Sequence, residues 1–178
     1  EHDFVQERFG KTDTEVLQDF GLLREKAVMA HGNFISPADG ARFVKTGAAV
    51  AHCPISNAYF ANGVIPIKRL KEQGVTIGLG TDISGGFSPS LYDNIKQAVM
   101  SSRMLEDGVD VTLPQNTRGI ADSRISVIDA FSLATKGGGE ALKLPVGVIK
   151  EGYAFDVQVI DTRQKENPLP DFGVFTSP

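Results

Sequence analysis

Between residues 27 and 106 the chain repeats one order of local signals: a short apolar run, a loop carrying a polar side chain, a helical stretch and a glycine stop. The first copy begins at "AVMAH" (27–31) and continues into "SPADGARFVKTG". There Ser36 is placed to cap a helix, Pro37 to occupy its first position, Asp39 to answer the cap three residues on, and Gly47 to end it. The second begins at "AAVAHC" (48–53), and "VIPIKRLKEQG" supplies a short helix that packs Ile67 and Leu70 and closes at Gly74. The third, "VTIGLGTD" (75–82), leads through a glycine-rich loop to a cap at Ser88 or Ser90. The helix that follows spaces Leu91, Ile95, Ala98, Val99 and Leu105 helically. Strands alternating with helices predict right-handed βαβ units around a parallel sheet.

A closed barrel of eight such units takes roughly 200 to 250 residues, whereas this pattern offers three strands before it changes. Three parallel strands leave two open edges and little cover. The chain is therefore expected to be the later, carboxyl-terminal part of a larger α/β protein, and a first residue Glu1 in place of Met is read as a chain that is processed, trimmed or part of something longer. Beyond residue 106, "EDGVDVTLPQNTRG" reads as a connecting loop. "SVIDAFSLATKGGGEALKL" reads as a helix opened by a Ser126/Asp129 capping box and broken or kinked at Gly137–Gly139. "GVIKEGYAFDVQVID" carries a turn at Lys150–Gly152 and alternating Phe155, Val157 and Val159, which predicts a hairpin. Residues 1–144 thus make up the α/β part and 145–178 a small β segment with its tail.

Charge and composition narrow the partners. A net charge of −4 and a pI near 5.4 give no basic surface for nucleic acid or an anionic membrane. Lys68, Arg69 and Lys71 cluster on a predicted helix and read as its solvated face. No apolar run approaches the roughly 18 residues of a membrane span, and no signal segment opens the chain. The single cysteine, Cys53, excludes an internal disulfide, so a reducing cytoplasm is the expected compartment. Homo-oligomerisation is compatible with all of this.

The three predicted strands end at His31, His52 and Asp82, with spacings that suit one βα repeat each, so the three side chains can meet on one rim. A lone histidine there is ordinarily a packed residue, and a lone aspartate a turn or cap. Together they are the donor types of a zinc-like ion, although a catalytic zinc needs at least three protein ligands and the chain has no H-x-H. Other signals are weaker. "GLGTDISGG" is neither G-x-G-x-x-G opening a helix nor a P-loop. Cys53 and His52 are adjacent on a strand and point to opposite sides, which argues against a Cys–His nucleophile and for a small buried thiol. The H-x-E and P-C-x-x-C of the small zinc nucleobase deaminases are absent.

"VMAHGNFIS" (28–36), "AHCPISN" (51–57), "GLGTDISGG" (78–86) with the Phe87-Ser88-Pro89-Ser90 that follows, and "LYDNIKQAVMSSRML" (91–105) together resemble the later part of the guanine deaminase family in the metal-dependent amidohydrolase superfamily. The resemblance runs from about Val28 to Asp161. It implies the later strands of a (β/α)8 TIM-type barrel with its site on the carboxyl face. His31 would match the histidine that orients or polarises the attacking water, and Asp82 the aspartate that binds Zn2+ and takes the water's proton. The glycines after Asp82 would leave room for metal, water and ring. His52, Ser56 and Asn57 would shape the site or hydrogen-bond within it. The implied reaction converts a small purine substrate, guanine, with water to xanthine and ammonia. The family's H-x-H and H-x-S-E have no counterpart here, His2 being read as part of a following helix, so these residues alone are expected neither to hold zinc tightly nor to turn over substrate. Alternatives are a superfamily relative acting on another ring or a chloro-substituted triazine, and a non-catalytic interaction module.

Overall fold

The computed structural model describes residues 2–161. Two helices open the chain, α1 (His2–Phe9) and α2 (Asp13–Asp19), followed by β1 (Val28–Ala30), α3 (Pro37–Thr46), β2 (Ala49–His52), α4 (Pro54–Tyr59), α5 (Ile67–Glu72) and β3 (Thr76–Leu79). The longer α6 (Leu91–Asp107) comes next. After a connecting loop, α7 (Val127–Ser132) runs through a π-helical turn (Leu133–Gly137) into α8 (Gly138–Leu142). The strands form one parallel sheet in the order β1-β2-β3, with Val28 opposite Ala49 and Val50 opposite Ile77. This is the parallel α/β sheet that the alternation predicts.

Local chemistry accounts for the helix boundaries. At the start of α3, Ser36 Oγ accepts from the Asp39 N–H at 3.1 Å while Asp39 Oδ2 accepts from the Ser36 N–H at the same distance, and Gly47 ends the helix at φ 72°. The buried Asp39 carboxylate also accepts from Thr12 Oγ1 at 2.7 Å, so the α2 cap and the α3 cap are one unit. Ser90, not Ser88, caps α6; Ser88 Oγ instead donates to Asp93 at 2.7 Å and accepts from the Ser90 N–H. Ser126 and Asp129 form the expected box on α7.

The core lies between the sheet and its helices. Val50 and Ile77, partners in register, pack with Ile67, Leu70, Phe43, Ile95 and Ala98, all nearly inaccessible to water. Within that group Leu70 and Val50 are fully buried, each the kind of side chain that contributes roughly 1.5–3 kcal/mol on burial. Lys68 and Lys71 face outward and pair with Asp122 and Asp129.

Two expectations are corrected. Of the break or kink expected at Gly137–Gly139, the break does not occur: the π turn ends at Gly137 and α8 takes up Gly138 and Gly139. Gly137 serves close approach: a Cβ there would fall inside the contact shell of the Ile77 carbonyl oxygen, so the π turn can lie directly against the backbone of β3. The hairpin expected over 147–161 is not formed among the described residues. Its turn is present, with the Tyr153 N–H donating to the Lys150 carbonyl at 3.1 Å and Gly152 at φ 81°. Phe155, Val157 and Val159 are nevertheless exposed, and a run that alternates cannot become a strand without a partner to take its backbone hydrogen bonds. The tail assigned after residue 161 lies outside the described residues.

Candidate active site

The sheet ladder continues one residue past its strands and thereby fixes the rim. The His31 N–H donates to the Ala51 carbonyl at 2.9 Å and the Gly80 N–H to the His52 carbonyl at 2.8 Å, so the carboxyl ends of all three strands are held level. Immediately beyond, His31 and Asp82 each adopt a left-handed backbone, at φ 69° and 49°. Such residues cost on the order of 1–3 kcal/mol unless glycine, and they gather where a side chain must be aimed. Here the turn brings His31 Nε2 to 3.9 Å from Asp82 Oδ2, both side chains about two-fifths exposed.

The loop after Asp82 closes tightly. Gly86 N–H donates to the Asp82 carbonyl at 2.6 Å, and a Cβ on Gly86 would collide with the Thr81 carbonyl oxygen. At Gly86 the space is used by the backbone itself, whereas a Cβ on Gly85 would fall 2.8 Å from Asp82 Oδ2, so that glycine keeps the carboxylate clear. What remains open is a cavity of about 720 Å³, into which His31, Asp82, Asn33, Phe34 and Phe60 project. His2, read from sequence as a helix residue, is on α1 and also lines this cavity, stacked on Phe34 at 5.1 Å between ring centroids and 3.3 Å from Asp13 through Nδ1.

His52 does not reach the rim surface. It is 1% exposed, and neither ring nitrogen has a hydrogen-bond partner among the described residues. Burial first, and the nearby His31 second, push its imidazole down to about 3. The ring is neutral in the fold and charges in the unfolded chain as pH drops below about 6.5. Stability from this group is therefore fully present above pH 6.5 and lost as pH falls towards 3. Urea unfolding between pH 7.5 and 5 is expected to show this: below 6.5 the wild-type chain loses up to about 1.4 kcal/mol per pH unit more than His52→Leu does. Parallel slopes would contradict a buried neutral His52. Cys53 is buried beside it, its thiol pushed up by that burial and then by the Asp82 charge, consistent with a packing role.

A family model described as the amidohydrolase family matches residues 2–178. The chain belongs to the amidohydrolase family. Among curated proteins, a 5-methylthioadenosine/S-adenosylhomocysteine deaminase of Pyrococcus abyssi is 38% identical over 93% of this chain and 36% of its own length. The guanine deaminase of Mus musculus is 35% identical over 91% of the chain and 34% of its own. Among solved structures, guanine deaminase from C. acetobutylicum with bound guanine in the active site superposes with a TM-score of 0.71 at 29% identity, over 87% of this chain and 35% of that one. An atrazine chlorohydrolase from Arthrobacter aurescens TC1 complexed with zinc gives 0.72 at 23% identity, over 87% and 32%, a likeness of fold alone. The chain spans about a third of the length of the curated relatives it matches.

Within this amidohydrolase chain, the sequence-predicted His31 and Asp82 come together and His52 does not join them. Asp82 is a carboxylate of the type that zinc accepts, with an imidazole beside it. Yet no group of three or more His, Cys, Asp or Glu capable of holding a metal occurs among the described residues, so they do not by themselves make a zinc site. The residues that sequence reading missed are Asn33 and Asn62. Asn57, 2% exposed, presents Oδ1 to His31 Nδ1 at 2.9 Å and donates through Nδ2 to Asn33 Oδ1 at 2.9 Å, and Asn33 Nδ2 donates to the Asn62 carbonyl at 2.9 Å. Polar loop residues carry no periodic signal, and only the fold shows that they meet. No helix among the described residues is long and apolar enough to cross a membrane.

Proposed function

We propose that the protein carrying this chain is an aminohydrolase that removes the exocyclic amine of a purine by attack of water, with guanine as substrate, giving xanthine and ammonia. The observation that carries the reading is the pair His31 and Asp82, delivered by two strand ends to one cavity on the carboxyl rim, where α/β barrels place their chemistry. In this scheme Asp82 accepts a proton from water, and His31 Nε2 accepts a hydrogen bond from the same water as its oxygen bonds to the amine-bearing carbon. The carbon–nitrogen bond then breaks as Asp82 hands its proton to the departing amine, so that ammonia leaves, while the proton of the new hydroxyl returns to the acid that protonated the ring nitrogen and the carbonyl forms. Protonating the ring nitrogen calls for a second acid. Zinc, with Asp82 as one of its ligands and the others outside the described residues, would supply an acidified water.

The family and the deaminase relatives support hydrolysis of a ring amine. The guanine reading is supported by the mouse relative and by the solved structure holding guanine. A second reading, a 6-aminopurine nucleoside, is favoured by the Pyrococcus relative at 38% identity. The test is ammonia release by the full protein offered guanine, 5-methylthioadenosine and S-adenosylhomocysteine in parallel. Guanine is expected to be turned over with a kcat/KM in the ordinary enzymatic range of about 10⁴ M⁻¹s⁻¹ or above. Preference for the nucleosides would move the substrate assignment, and no release from any of the three would overturn it.

A further inference from the structure

We propose that Asn33 and Asn57 are positioning residues that hold His31 in a single tautomer, with the proton on Nδ1 and the Nε2 lone pair turned towards Asp82 and the cavity. The direction of each hydrogen bond fixes that of the next. The Asn62 backbone carbonyl can only accept, so Asn33 must present its NH2 group to it, across 2.9 Å. Asn33 Oδ1 is then the end that faces Asn57, and it can only accept, which turns the Asn57 NH2 group towards it at 2.9 Å. Asn57 Oδ1 is left facing His31 Nδ1 at 2.9 Å, and an amide oxygen accepts, so Nδ1 carries the hydrogen. Flipping both amides would set two carbonyl oxygens against each other at Asn62. The terminal acceptor is itself tied down, because the Asn62 N–H donates to the Asn57 carbonyl at 2.9 Å and closes the relay into a ring.

The consequence lies on the other side of the imidazole. Nε2 is 3.9 Å from Asp82 Oδ2, too long for a direct hydrogen bond, and with its hydrogen on Nδ1 it has none to give. Asp82 thus keeps its oxygens free for the proton of water. The opposite tautomer would turn an N–H towards Asp82 and leave Nε2 without a lone pair for the water. This inference rests on the aminohydrolase reading for its effect on rate, but not for the tautomer.

The two are tested separately. Long-range proton–nitrogen spectra of the full protein labelled in histidine, with His31 assigned through His31→Gln, are expected to show a protonated Nδ1 and a bare Nε2. Asn57→Leu, and Asn33→Ala as the less buried change, are expected to mix the tautomers, while Asn57→Asp, which still offers Nδ1 an acceptor, restores the single form. A wild-type ring protonated at Nε2, or a tautomer unmoved in a folded Asn57→Leu or Asn33→Ala, overturns the relay whatever the enzyme's substrate. In the ammonia assay, Asn57→Leu is expected to lower kcat about 10²-fold with KM within about threefold, and Asn57→Asp to recover most of it. Mixed tautomers with an unchanged kcat would remove these asparagines from the reaction while leaving the aminohydrolase reading standing.

Discussion

Asp82→Asn is expected to lower kcat/KM for amine release by about 10⁴-fold, the upper end of what one positioned proton acceptor contributes. Asparagine keeps the shape of the side chain and removes both its charge and its basicity, so the change separates chemistry from packing. Asp82 sits half-exposed at the rim, outside the core built on Val50, Ile77 and Leu70. Its replacement is therefore expected to shift unfolding free energy by no more than about 0.5 kcal/mol. The backbone of residue 82 is already left-handed at φ 49°, a conformation asparagine tolerates as readily as aspartate. Steady-state ammonia release beside a urea denaturation curve checks both halves. Activity within tenfold of wild type would remove Asp82 from the role of proton acceptor.

Gly137→Ala is expected to destabilise the protein by about 2–3 kcal/mol through overpacking, even though alanine is the better helix former. The added Cβ would meet the Ile77 carbonyl oxygen, a strand backbone atom that cannot rotate aside. Either the π turn lifts away from β3 or β3 shifts, and β3 carries Asp82 at its end. The neighbouring Gly138→Ala is the control. A Cβ there would find only the Leu133 carbonyl oxygen at 3.9 Å, an ordinary contact, on a backbone at φ −61° and ψ −47°. That change is expected to stabilise by up to about 1 kcal/mol, from the reduced freedom of the unfolded chain. Urea midpoints for the two variants should move in opposite directions; equal shifts would mean that the π turn does not press on β3 at Gly137.

Much of the framework was legible because its causes are local. Ser36, Ser90 and Ser126 each satisfy an orphan N–H within three residues, and Gly47 ends a helix by its own φ. The apolar runs ending at His31, His52 and Asp82 are strands because of their length and small residues, and alternation with helices makes them parallel. From that it followed that His31 and Asp82 share a rim. Other features were not legible. His52 occupies the same kind of position as His31, yet it is buried and neutral. Gly137 reads as a helix breaker until a strand carbonyl is placed against it. The segment at 153–159 alternates like a strand, but alternation offers backbone groups without supplying their partners.

Neighbours a few residues away set the strand–helix order, the caps and the three side chains, His31, His52 and Asp82, at the strand ends, and all of these could be read from the chain. It took packing in three dimensions to link Asn33, Asn57 and Asn62 to His31, to withdraw His52 from the site, and to set backbone beside Gly86 and Gly137 where a side chain would stand. Those outcomes depend on groups 24 to 29 residues apart in the relay, and hydrogen-bond direction and steric exclusion act between atoms brought together in space, whatever their separation along the chain.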